Sequence, residues 1–123
     1  MARTALVPIV PLGSTPVLPL VALSAAMALT AADIANGNSV PSTGRELIIV
    51  QNSDAAPQTV TVASVVDRLN RTGDITAYSI PIGAFAVLGP FKTEGWRQAD
   101  GNLYLNASTA TVKFAVIQLP PVL

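Results

Sequence analysis

Turn-forming residues punctuate this chain roughly every 8–12 residues, and that spacing limits what it can fold into. The ten Pro and eight Gly of its 123 residues leave little room for a long helix. Between the breaks lie short runs rich in Val, Ile, Thr and aromatic residues. Arg45–Asn52 (RELIIVQN) has a fully apolar centre, Leu47–Val50, suited to burial on both faces or to a sandwich interior. Gln58–Val66 (QTVTVASVV) opens with clean alternation, Val60 and Val62 against Thr59, Thr61 and Ala63, as in a half-buried strand. The short gap between these two runs is that of a hairpin with a longer loop. Ile75–Ile80, Ala84–Leu88 and Thr109–Leu119 read as further strands, with Val112, Phe114 and Val116 on one side of the last.

The block Arg71–Leu119 holds the only Trp, both Tyr, all three Phe and five of the eight Gly. Within it Asp100-Gly101 predicts a type I′ hairpin joining Trp96–Ala99 to Asn102–Asn106. In that register Trp96 and Gln98 face Leu103 or Leu105, and Tyr104 points to the opposite face. Residues 24–44 are small and polar. They admit a short helical turn at Ala25–Ala32, and Asn36-Gly37 and Pro41-Ser42 read as turns. About seven short strands without an amphipathic helix give an all-β fold: a single-domain β-sandwich, jelly-roll-like or Ig-like, over residues 24–123. A small β-barrel is the alternative.

Residues 1–23 carry Pro8, Pro11, Pro16 and Pro19 and read as an extended Pro-rich arm. The arm either packs on its own domain or reaches a neighbouring subunit. In the second case a chain lacking Ala2–Thr15 keeps its fold and loses its partner. A signal peptide competes for this segment, with Arg3 as charged start and Ala25-Ala26 as the small-residue region. The prolines break the apolar helical run that such a peptide needs. Residues 17–34 are apolar but interrupted by Pro19, Ser24, Thr30 and Asp33, a weak pattern for a membrane span.

Charge narrows function more than any motif does. Seven basic and seven acidic residues cancel, and only 11% of residues are charged, against about 25% in ordinary domains. Nucleic acid requires a basic patch to displace counterions, so it is a poor partner here. A neutral, charge-poor surface suits a protein covered by other subunits, or a small domain with Ser and Thr outside. The chain has no Cys and no His, so there is no thiolate nucleophile and the commonest general base and zinc ligand is missing. No phosphate loop, nucleophile elbow or dinucleotide fingerprint occurs, and no metal or cofactor is expected. Asp33, Glu46, Asp54, Asp67, Asp74, Glu94 and Asp100 fall almost entirely in turns or at strand ends, where carboxylates bond nearby N–H groups. The sequence therefore predicts no catalysis.

The runs RTGDITAYSI, GPFKTEGWRQADGNLYL and VKFAVIQLP, with MARTALVPIVP and ADIANGNSVPSTGRELIIVQNS, resemble a family of small proteins encoded among the head genes of tailed bacteriophages. The likeness covers nearly the whole chain, and Pro11–Leu29 departs from it most. The resemblance implies a structural virion protein that binds and reinforces the outer surface of the capsid, a decoration or cement protein. Its partner would be the major capsid protein, its location the virion, after assembly in the host cytoplasm, and its state a homo-oligomer, with a trimer among the options. Contacts would come from the arm and the C-terminus: Arg3, Leu6, Val7, Pro8, Ile9, Val10, Pro11, Leu12, Pro16, Pro120, Pro121 and Leu123. Two other readings stand beside it. One is a carbohydrate- or host-surface-binding sandwich that stacks ligands on Trp96, Tyr104 and Tyr78. The other is a different virion component, such as a head–tail joining or tail-tube protein.

Overall fold

A computed structural model of the chain describes residues 2–12 and 27–120. Among the described residues nine strands run in the order β1 (Thr4–Ala5), β2 (Thr30–Ala31), β3 (Asn38–Pro41), β4 (Glu46–Asn52), β5 (Gln58–Ala63), β6 (Ile75–Ile80), β7 (Phe85–Leu88), β8 (Asn102–Ala107) and β9 (Val112–Gln118). They form a five-stranded sheet, β1-β3-β8-β5-β6, and a four-stranded sheet, β2-β9-β4-β7. The two sheets pack as a sandwich and do not close into a barrel, and no helix occurs among the described residues.

Period-two alternation decides what fills the interior. The first sheet turns Val40, Val60, Val62, Ile80, Leu103 and Leu105 inward, and the second turns in Ile48, Val50, Val112, Phe114 and Val116. Each contributes about 1.5–3 kcal/mol by leaving water. Phe91 closes one end, its ring centroid 4.8 Å from that of Trp96.

The β4–β5 hairpin does not form. The chain leaves β4 in one sheet and enters β5 in the other, and it changes sheet again between β6 and β7, between β7 and β8, and between β8 and β9. Asn52 fixes the β4–β5 crossing. Its side chain is fully buried, and Nδ2 donates to the carbonyls of Ala56 (2.9 Å), Ile80 (2.9 Å) and Pro81 (3.3 Å). Its Oδ1 accepts from Asp54 N–H at 2.9 Å. A short connection had room for either path, and a buried amide with carbonyls to satisfy selects the arch.

The Asp100-Gly101 hairpin also differs. Residues 96–99 are turn and coil, not a strand. Gly101 N–H donates to the Gln98 carbonyl (2.9 Å) and Gln98 N–H to that of Asn102 (2.8 Å). Gly101 has φ +87° while Asp100 keeps a negative φ, so this is a type I turn followed by a glycine bulge, not type I′. The Asp100 carboxylate selects it by accepting Asn102 N–H at 3.1 Å and the Tyr104 hydroxyl at 2.7 Å. Trp96 therefore packs on Phe91 from a loop and does not face Leu103 across a ladder. Tyr104 does point outward, as its register predicts.

Two further readings change. Asn38–Pro41 is a strand, with Val40 in the core, where turn chemistry predicts a loop. Thr30–Ala31 is strand and not helical turn; Ala25 and Ala26 lie outside the described residues. Strand β6 carries a register shift opposite Val60–Val62, and Ala77 within it has φ +50°. An L residue there costs about 1–2 kcal/mol. Ala77→Gly should raise stability by ~0.5–1 kcal/mol in urea melts.

Candidate assembly surface

Residues 2–12 of the N-terminal arm lie on the domain that follows; 13–23 fall outside the described residues. Thr4–Ala5 pairs in parallel with β3, with Thr4 N–H donating to the Gly37 carbonyl (3.1 Å) and Leu6 N–H to that of Ser39 (2.8 Å). Leu6 enters the core at 5% exposure. Further on, Ile9 bridges the other sheet: its N–H donates to Val116 O, and its carbonyl accepts Gln118 N–H, both at 2.8 Å. Within a few residues the arm thus ties the edge of one sheet to the edge of the other.

Side chains fasten it. Arg3 Nη1 donates to Asn106 Oδ1 (2.8 Å), to the Asn38 carbonyl (3.3 Å) and to the Leu105 carbonyl (3.4 Å). The guanidinium carbon sits 4.0 Å from the centroid of the Tyr104 ring, a cation–π stack. Thr4 Oγ1 donates to Asp33 Oδ2 at 2.6 Å. Removal of Ala2–Thr15 would therefore take Leu6 out of the core, so the arm is not the separable element that its prolines suggest.

What the arm leaves outside is apolar. Val7, Val10 and Leu12 are 83%, 57% and 55% exposed. Pro11 and Pro120 are exposed as well, and Pro8 is half-buried; Pro16, Pro121 and Leu123 lie outside the described residues. Through Ile9 the arm adjoins a sheet whose outer face is mainly apolar and half-buried, with Lys113 and Gln51 at one end of it. Because β4 buries Ile48 and Val50 inward, Leu47 and Ile49 face outward, in register with Ile117 and Ala115 of β9 and with Val87 of β7. Phe85 joins them from β7. The opposite face of the molecule carries Thr59, Thr61, Tyr104 and Asn106. The apolar centre of β4 is the signal for this asymmetry. Phe85 and Val87 escape a sequence reading because an edge strand and a central strand have the same period.

Carboxylates are spent on local structure. Asp67 accepts the N–H groups of Leu69 and Arg71 and pairs with the Arg71 guanidinium at 3.1 Å. Asp74 accepts the N–H and hydroxyl of Ser64. The Arg71 N–H holds the Asp67 carboxyl below its usual range, and the Ser64 hydroxyl does the same for Asp74. Burial pushes the Glu46 carboxyl up, but donors from Thr43 and Gln118 outweigh it and leave the group lowered. Carboxylates held ionised are poor general acids near neutrality. Two open depressions, of about 300 Å³ beside Trp96 and about 400 Å³ beside Arg3, have their polar walls in the bonded sets Ser64, Asp67 and Arg71 and Arg3, Asp100 and Tyr104 respectively. Among the described residues no group of three His, Cys, Asp or Glu could hold a metal ion.

No protein-family model, curated protein or solved structure matches the chain at a significant level.

The three aromatic residues of the stacking alternative are not brought to one surface. Tyr104 pairs with Ala63 on the outer face of its sheet, while Tyr78 pairs with inward-facing Val60 at the β6 edge. One face of Tyr104 is covered by Arg3, and Trp96 packs against the core.

Proposed function

We propose that the chain is a structural virion protein that binds and reinforces the outer surface of a tailed-phage capsid. One observation carries the structural part of the reading: Val7, Val10 and Leu12 are exposed on an arm that Ile9 joins to the β9 edge, and Phe85 and Val87 are exposed at the far edge of the same sheet. Single exposed apolar residues are ordinary, whereas a contiguous set marks a contact surface. The phage-head resemblance of the sequence supplies the identity of the partner. A stable contact buries about 1,200–2,000 Å² in total. Many copies on a lattice would resist internal pressure through number, each contributing a modest contact. Ligand stacking finds less support, since its aromatic residues are dispersed.

The test is co-sedimentation with purified heads. A Val7→Ser, Val10→Ser, Leu12→Ser variant leaves Leu6 and the backbone pairing untouched. It should fold with a melting temperature near that of the parent and lose at least about tenfold in head affinity, about 1.4 kcal/mol. Undiminished binding would remove the arm from the contact.

A further inference from the structure

We propose that two copies of this chain join through antiparallel pairing of their β7 strands, making one continuous eight-stranded sheet from two four-stranded ones. The inference is independent of the capsid reading. It starts from the four sheet edges. An unpaired edge is a template for another strand, and proteins blunt such edges by shortness, bulges or charge. Strands β1 and β2 are two residues each. Strand β6 is bulged at Val60–Val62 and carries the left-handed Ala77. Among the described edge strands only β7 is a regular ladder along its whole length, Ile48–Gln51 pairing residue for residue with Leu88–Phe85. Residues 80–90 (IPIGAFAVLGP) contain no charge.

The hydrogen-bond alternation shows which groups the edge offers. Asn52 N–H donates to the Ala84 carbonyl, so in this register Ala86 and Leu88 also turn their polar backbone groups toward β4. The N–H and C=O of Phe85 and Val87 therefore point away from the sheet. No partner for them appears among the described residues. Their side chains are 58% and 63% exposed.

A second β7 is the strand that fits. It is the one regular edge each copy has to give, and a two-fold axis through Ala86 sets Phe85 opposite Val87 of the other copy, twice. Each such pair exchanges its two N–H···O=C bonds. On the outer face it places an aromatic ring beside a β-branched side chain, a favourable cross-strand combination. Neutral copies meet without like charges at the seam. The interface is isologous and closes at two subunits.

Sedimentation velocity over a concentration series tests this, with amide exchange read by NMR. The wild type should dimerise as concentration rises, and Phe85 and Val87 N–H should gain protection with it. Val87→Pro removes only an outward-pointing donor, which an edge strand tolerates, and Val87→Lys places charge on the seam. Both should keep wild-type circular dichroism and lose the dimer. A wild type that stays monomeric at every concentration overturns the proposal. So does a dimer that survives both substitutions, or one that forms without protecting Phe85 and Val87.

Discussion

Asn52→Asp should destabilise the fold by about 3–5 kcal/mol at neutral pH, because a carboxylate would replace a buried donor that faces three carbonyls. The amide is fully buried and bonded on both its ends. Asn52→Ala should lose less, about 2–4 kcal/mol, since it orphans the same carbonyls without adding charge. The two substitutions also differ in pH dependence. Burial among carbonyls raises the pKa of the new Asp in the folded state. Its protonated form can donate, so its contribution is fullest below its unfolded pKa and is lost as pH rises through the folded one. The deficit of Asn52→Asp relative to wild type should therefore shrink on acidification, and that of Asn52→Ala should stay nearly flat. Urea midpoints at several pH values read both. Equal and pH-independent losses would mean that Asn52 does not carry the crossing.

Leu6→Ala should lose about 2–4 kcal/mol, the range for truncating a buried Leu. That is a large effect for a residue so near the N-terminus of the chain, where ends usually fray. Leu6 is 5% exposed and is flanked by backbone bonds to Gly37 and Ser39. Val10→Ser, four residues on and 57% exposed, should stay within about 0.5 kcal/mol. Equilibrium unfolding of the two variants side by side measures the contrast. Equal, negligible changes would return the arm to the status of a loose appendage.

The parts of the fold legible in the sequence are those set by local alternation. Ile75–Ile80 falls where its residues put it, and β4, β5 and β9 agree within a few residues. The inward set Val112, Phe114 and Val116 follows from period two alone. The turn carboxylates Asp33, Asp54, Asp67, Asp74 and Asp100 each accept a nearby N–H, as their positions suggest. What stayed hidden depends on distant partners. Asn38–Pro41 reads as turn because Asn and Pro favour turns. It becomes a strand because β8 on one side and the arm on the other supply its ladder. The β4–β5 arch is decided by Asn52 meeting Ile80 and Pro81, residues remote in the chain. The contact residues that the resemblance implies on the arm, among them Arg3, Leu6, Val7, Ile9 and Val10, are of two kinds. Arg3, Leu6 and Ile9 hold the arm to the domain, and Val7 and Val10 face outward. Proline content announces an extended segment but not which of its sides will be covered.

Cryo-electron microscopy of purified heads, paired with quantitative mass spectrometry, tests the proposed role most directly. The account predicts this β-sandwich as ordered density on the outer capsid surface, in lattice copy number, with the Val7–Leu12 strip against the capsid shell. Absence of the protein from mature heads, or its confinement to a few copies at one vertex, would contradict it.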